Sequence, residues 1–117
     1  MTKATAGRIA LFSLALLALP LAATARPVAN PAGLTFKAGT YRCELNRSVQ
    51  VTQVAPDLQT AVIHWNKKDY TLKAVSTKSG ALRYEDASSG LVWLVIVDKS
   101  MLLDSRAGRQ LANECRN

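Results

Sequence analysis

Cys43 and Cys115 are the only two cysteines of a 117-residue chain, and they bracket most of its patterned sequence. What they do depends on the compartment, which the N-terminus sets. Lys3 and Arg8 make a positive start, Ile9 to Leu19 is apolar but for Ser13, and Pro20 is followed by Ala23-Thr24-Ala25. A charged start, a short apolar run and a small-residue site are the parts of a secretory signal peptide, here residues 1–25, with cleavage expected between Ala25 and Arg26. The run is shorter than the ~20 apolar residues of a spanning helix, so no membrane span is expected. No cysteine stands at the cleavage point, so no lipid anchor on a mature N-terminal cysteine is expected, and the exported product should be soluble. In an oxidising compartment two cysteines read as one disulfide. A metal site lacks ligands, because His64 is the sole histidine and no paired-cysteine spacing exists. No cofactor motif is present.

After cleavage, residues 26–117 suffice for one small domain. Residues 26–37, with Pro27, Pro31 and Gly33, read as a mobile lead-in, which leaves 38–117 as the domain. Its hydropathy has a period of two. Gly39–Leu45 carries Tyr41 and Cys43 on one face, and Ser48–Val54 carries Val49 and Val51. Ala55-Pro56-Asp57 breaks the pattern. Thr60–Asn66 alternates Ala61, Ile63 and Trp65 against Thr60, Val62 and His64, and Asn66 to Asp69 reads as a tight turn before Tyr70, Leu72 and Ala74. Ala81–Glu85 is short, Asp86–Gly90 is a turn by composition, and Leu91–Val97 is a continuous apolar run expected to be the most buried strand. Ser100–Asp104 and Arg109–Glu114 form a last hairpin. About eight short strands with no amphipathic helix predict an all-β domain, a small antiparallel barrel or sandwich. Barrel closure would remove the edges of such apolar strands.

The residues argue against an enzyme. His64 sits alone in an alternating strand, and no Ser/His/Asp order or phosphate loop accompanies it. Glu85 and Asp86 are adjacent in a strand and so point to opposite faces, the wrong arrangement for paired carboxylates. The formal net charge is +7, or +5 without Lys3 and Arg8. The basic residues are scattered over a solvated surface, so no nucleic-acid partner is expected. The segment Thr77-Lys78-Ser79-Gly80-Ala81 is distinct. It joins two strands with small polar groups, Gly80 permits close approach by a partner, and Lys78 and Ser79 bring a cation and a hydroxyl that suit carboxylates in a cleft.

Tyr41-Arg42-Cys43, Ser79-Gly80-Ala81 with Arg83-Tyr84, Trp93, and Asn113-Glu114-Cys115 occur in an order and spacing that resembles the MliC/PliC family of bacterial membrane-bound or periplasmic inhibitors of c-type lysozyme. The resemblance covers residues 38–116. It implies an eight-stranded antiparallel β-barrel, with a disulfide tying its first strand to its C-terminal end. It also implies a periplasmic protein that inserts a loop into the lysozyme active-site cleft. Ser79 would take the role of the family serine that meets the catalytic carboxylates, with Gly80, Ala81 and Tyr84 shaping its loop. Two departures stand out. Leu82 looks inserted before Arg83, which would swap the faces of that strand unless a bulge absorbs it. Val95 occupies the place of the family lysine two residues after the tryptophan. Lys99 is the nearest cation beyond it, and Lys78 and Arg83 are other sources of charge. Because c-type lysozymes are generally basic, a positive partner starts from unfavourable net charge. The alternative is a non-inhibitory envelope-binding or structural module with the same barrel, in which a homodimer or another partner covers the outer face of the Leu91–Val97 run.

Overall fold

The computed structural model describes residues 26–117; the expected signal peptide lies outside the described residues. Eight strands follow one another: β1 (Gly39–Arg42), β2 (Ser48–Val54), β3 (Thr60–Trp65), β4 (Lys68–Val75), β5 (Leu82–Glu85), β6 (Leu91–Ile96), β7 (Lys99–Asp104) and β8 (Arg109–Cys115). Each pairs antiparallel with the next, so spatial order equals chain order. The sheet curls until its two edges meet. Arg42 N–H donates to Arg116 O, and Arg116 N–H to Arg42 O, each at 2.9 Å. Beside this bridge Cys43 and Cys115 form the expected disulfide. The result is a nearly closed barrel, the all-β architecture expected from the strand pattern.

Period-two alternation fills the interior. Tyr41, Val49, Val51, Ala61, Ile63, Leu72, Leu82, Tyr84, Trp93, Val95 and Leu102 are buried in one cluster. Trp93 is at its centre, fully buried and edge-on to Tyr41 at 5.2 Å between ring centroids. In β6, Leu91, Val92, Trp93 and Val95 are buried while Leu94 and Ile96 are half-buried, which fits the expected burial of that run. The run ends one residue early, however. Val97 leaves the strand for the two-residue turn between Ile96 and Lys99. Asn66 (φ 50°) and Lys67 (φ 65°) make the β3–β4 turn, with both central residues left-handed as a tight hairpin of this twist requires.

Leu82 does not disturb its strand. It begins β5 pointing inward, in step with Tyr84, and pairs with Val95. The register shifts fall elsewhere, in the β2–β3 pairing between Val51 and Gln53 and in the β7–β8 pairing. Bulges there add twist and bend, which an eight-stranded sheet needs to close.

The segment before β1 lies against the barrel. Asn30 side chain both donates to Leu34 O (2.7 Å) and accepts from Leu34 N–H (3.1 Å). Val28 N–H donates to the Gln59 side chain, and Tyr41 O–H donates to Lys37 O. Leu34 and Phe36 pack on the core, Phe36 meeting the Tyr84 ring at 5.2 Å. Tyr84 O–H in turn donates to Leu58 O at 2.6 Å. One buried tyrosine thus gathers the lead-in and the β2–β3 loop over the same end of the barrel.

Two outcomes follow. Replacing both cysteines by alanine should lower unfolding stability by about 4 kcal/mol, because the bond closes a 72-residue separation. Denaturant titration of the double variant against the oxidised protein measures this, and a loss below about 1 kcal/mol would mean that the edge pairing suffices. Burial, and then the nearby Asp57 carboxylate, push the Tyr84 phenol up to about 12 from its ordinary 10.0. The folded state therefore favours the protonated phenol. Its contribution is intact below pH 10 and is lost as pH rises to 12, about 2–3 kcal/mol in all. Tyr84→Phe, which has no proton to lose, should flatten the fall of stability across that window.

Candidate functional site

Alternation of an up-and-down sheet sends the β2–β3, β4–β5 and β6–β7 connections to one end of the barrel. The β4–β5 connection holds the segment singled out by its composition. Thr77 O–H donates to Ala81 O at 2.8 Å, and Ala81 N–H donates to Ser79 Oγ at 3.4 Å. These contacts fold Thr77–Ala81 back on itself, as short hydroxyl side chains do in turns. Gly80 has φ +83°, a backbone conformation that other residues adopt only with strain, and its missing Cβ would lie 3.8 Å from Ala32.

Ser79 is exposed at the tip, with Lys78 beside it; Gly80 and Ala81 are half-buried below. Because Ser79 Oγ accepts the Ala81 N–H, its own hydroxyl proton remains available to an outside acceptor. Among the described residues Lys78 makes no ion pair.

The other expected site residues lie apart from this tip. Tyr84 is fully buried, so any part it plays passes through Phe36 and Leu58, whose positions it fixes. Lys99 starts β7, and its ammonium donates to Glu114 Oε1 at 2.9 Å. That hydrogen bond, followed by the Lys99 charge, holds the Glu114 carboxyl below its ordinary range. Lys99 lines an adjoining groove of about 310 Å³ with Phe36, Lys37, Tyr41, Val97 and Asp98. Arg83, the other cation considered for the loop, is bound to Glu85 at 2.7 Å. Val95, which the resemblance sets against the family lysine, is buried in the barrel, where a charge would lack solvation. Lys78 is thus the cation that stands next to the serine unpaired.

Ser79, Gly80 and Ala81 share a second groove, about 210 Å³, with Ala32 and Leu34 of the lead-in and with Leu94, Ile96 and Val97. The Leu91–Val97 run marks its outer face as one to be covered, but the lead-in wall was not foreseen, because Pro- and Gly-containing segments carry no period. The spacing of Thr77 and Ala81, four residues apart around a Ser-Gly pair, is the one signal that marks a self-closed loop.

Away from this end no catalytic grouping is seen among the described residues. His64 Nδ1 lies 2.7 Å from Asp69 Oδ1, an exposed cross-strand pair. Asp86 accepts from the Ser89 and Ser88 hydroxyls at 2.7 and 2.8 Å, which lowers its pKa and closes the β5–β6 turn. Among the described residues no cluster of three or more His, Cys, Asp or Glu could hold a metal, and no helix is long and apolar enough to cross a membrane.

Comparison with known proteins bears on this geometry. The model of one family, described as membrane-bound lysozyme-inhibitor of c-type lysozyme (MliC), matches residues 41–104, more than half of the chain. The match runs from Tyr41 in β1 to Asp104 at the end of β7 and includes the whole Ser79 loop; the lead-in and Cys115 lie outside it. No curated protein and no solved structure matches the chain. With the barrel, its disulfide and the Ser79 loop in place, the family match establishes that this chain belongs to the MliC family of inhibitors of c-type lysozyme.

Proposed function

We propose that this protein acts in the periplasm as an inhibitor of c-type lysozyme and inserts the Thr77–Ala81 loop into the active-site cleft. The observation that carries this reading is the Ser79 hydroxyl. It is exposed on a loop already closed by its own hydrogen bonds, with its proton free to donate. A lysozyme cleft holds two carboxyl groups that flank the scissile bond. A hydroxyl delivered there donates to a carboxylate and takes the space of the sugar. A loop shaped before contact loses little conformational freedom on binding, which favours affinity.

The cations that could assist the hydroxyl differ in what they must give up. Lys78 is the immediate neighbour and has no internal partner to give up. Lys99 would contribute after leaving Glu114, an exchange of one carboxylate for another with little net gain at a half-exposed site. Gly80 keeps the backbone thin behind the serine. Ala81 and the buried Tyr84 fix the base of the loop and the elements beside it.

The test is inhibition of c-type lysozyme by the purified protein. Ser79→Ala should raise the inhibition constant about ten- to a hundredfold, the effect of losing one charge-assisted hydrogen bond, with thermal stability unchanged. If Ser79→Ala inhibits as well as the parent protein, the serine does not reach the carboxylates. Lys78→Ala should weaken inhibition about two- to fivefold and Lys99→Ala by less. The reverse order would mean that the Glu114 pair opens in the complex and that Lys99 is the principal cation.

A further inference from the structure

Val97 combines two costs in one residue. It is β-branched with φ 51°, a backbone region that such side chains rarely enter. Its side chain is also 72% exposed, one of two large apolar side chains so exposed among the described residues. The other, Leu45, lies in the β1–β2 connection at the opposite end of the barrel. Asparagine or glycine would make the same two-residue turn with less strain and no exposed hydrocarbon. Val97 does not stand alone. It closes the groove formed by Leu94 and Ile96 below it, Ala32 and Leu34 of the lead-in, and the 79–81 loop. The lead-in wall is built with specific contacts, since the Asn30 side chain clamps Leu34 backbone on both sides.

We infer that this groove is the apolar half of the lysozyme-binding surface, and that Val97 and the lead-in receive an apolar side chain from the wall of the lysozyme cleft while Ser79 enters it. The inference rests on the proposed inhibitory function and adds a recognition surface to it. Continuity assigns the occupant: Ser79, Gly80 and Ala81 line both the inserted tip and the groove, so a body that engulfs the tip covers the groove as well. Electrostatics points the same way. The chain carries net positive charge, and of the cations at this end of the barrel Arg83 and Lys99 are already paired with Glu85 and Glu114, which leaves Lys78 beside Ser79. A basic lysozyme gains little from long-range attraction here, so area buried around the loop has to supply affinity that charge does not.

The discriminating substitution is Val97→Asn. Asparagine tolerates positive φ, so the variant should melt at the same or a higher temperature while its inhibition constant rises about fivefold or more. Ala32→Arg, which places a charge at the opposite wall, should weaken inhibition to a similar degree without loss of stability. Both effects should persist at high salt, where an ionic contribution would fade. The inference is overturned if both variants inhibit like the parent while Ser79→Ala does not; the inhibitory reading then stands without the groove. If Ser79→Ala is silent and the groove variants are impaired, the groove stands and the role of the serine fails. A parent protein that does not inhibit overturns both. Sedimentation of the parent and of Val97→Asn supplies the remaining outcome. A dimer that Val97→Asn dissolves, with inhibition untouched, assigns the groove to a second copy of the chain and overturns the lysozyme assignment.

Discussion

The meeting of β1 and β8 is the constraint on which the rest of the molecule depends. Neighbouring strands elsewhere share several paired residues, whereas this seam has one backbone bridge, between Arg42 and Arg116, with the disulfide beside it. A sheet of eight short strands that failed to close would expose the inward face of every strand, and Trp93, Tyr84 and Tyr41 would lose the far side of their packing. Closure also has a geometric consequence. It forces the twist taken up by the bulges in the β2–β3 and β7–β8 pairings. The bond therefore holds together ends that the intervening strands alone would hold weakly, and its value lies in the 72 residues it spans.

Most of this was legible in the sequence, because a barrel interior imposes a strict period of two. Val49 and Val51, Ala61 and Ile63, and Leu82 and Tyr84 each mark a strand and its inward face without reference to any other part of the chain. What was not legible depends on partners distant in sequence. The resemblance made Leu82 an inserted residue, to be absorbed by a swap of faces or by a bulge; its pairing with Val95 keeps it inward in step with Tyr84, and the irregularities fall in the β2–β3 and β7–β8 pairings instead. Val97 reads as strand by composition, but Ile96 pairs with Lys99 and leaves two residues for the turn. The contacts of the lead-in come from Phe36 and Leu34 finding Tyr84 and the core, which no local period announces.

The candidate site divides in the same way. The Thr77–Ala81 loop is local, and its composition identified it: two hydroxyls, a glycine and a cation within five residues of the β4–β5 connection. Lys99 depends on Glu114, fifteen residues away in sequence, and only the fold brings the two together. Sequence alone cannot separate a free cation from a paired one, so Lys78, Arg83 and Lys99 look equivalent until the barrel assigns carboxylates to two of them.

That assignment bears on how a positive protein can engage a basic enzyme. Paired cations at the loop end present little field, so they neither attract the cleft carboxylates strongly nor repel the surrounding basic surface strongly. On the proposed reading the contact is left to short-range terms: one hydroxyl donor, one free ammonium and apolar surface. Such terms act only when the surfaces fit, so they demand a loop held in place before contact. The barrel meets that demand through the hydrogen bonds within the loop, the β4 and β5 strands on either side of it, and a lead-in seated against Gly80. The disulfide at the seam supports that arrangement at a distance, because it keeps closed the barrel whose core anchors the strands on either side of the loop.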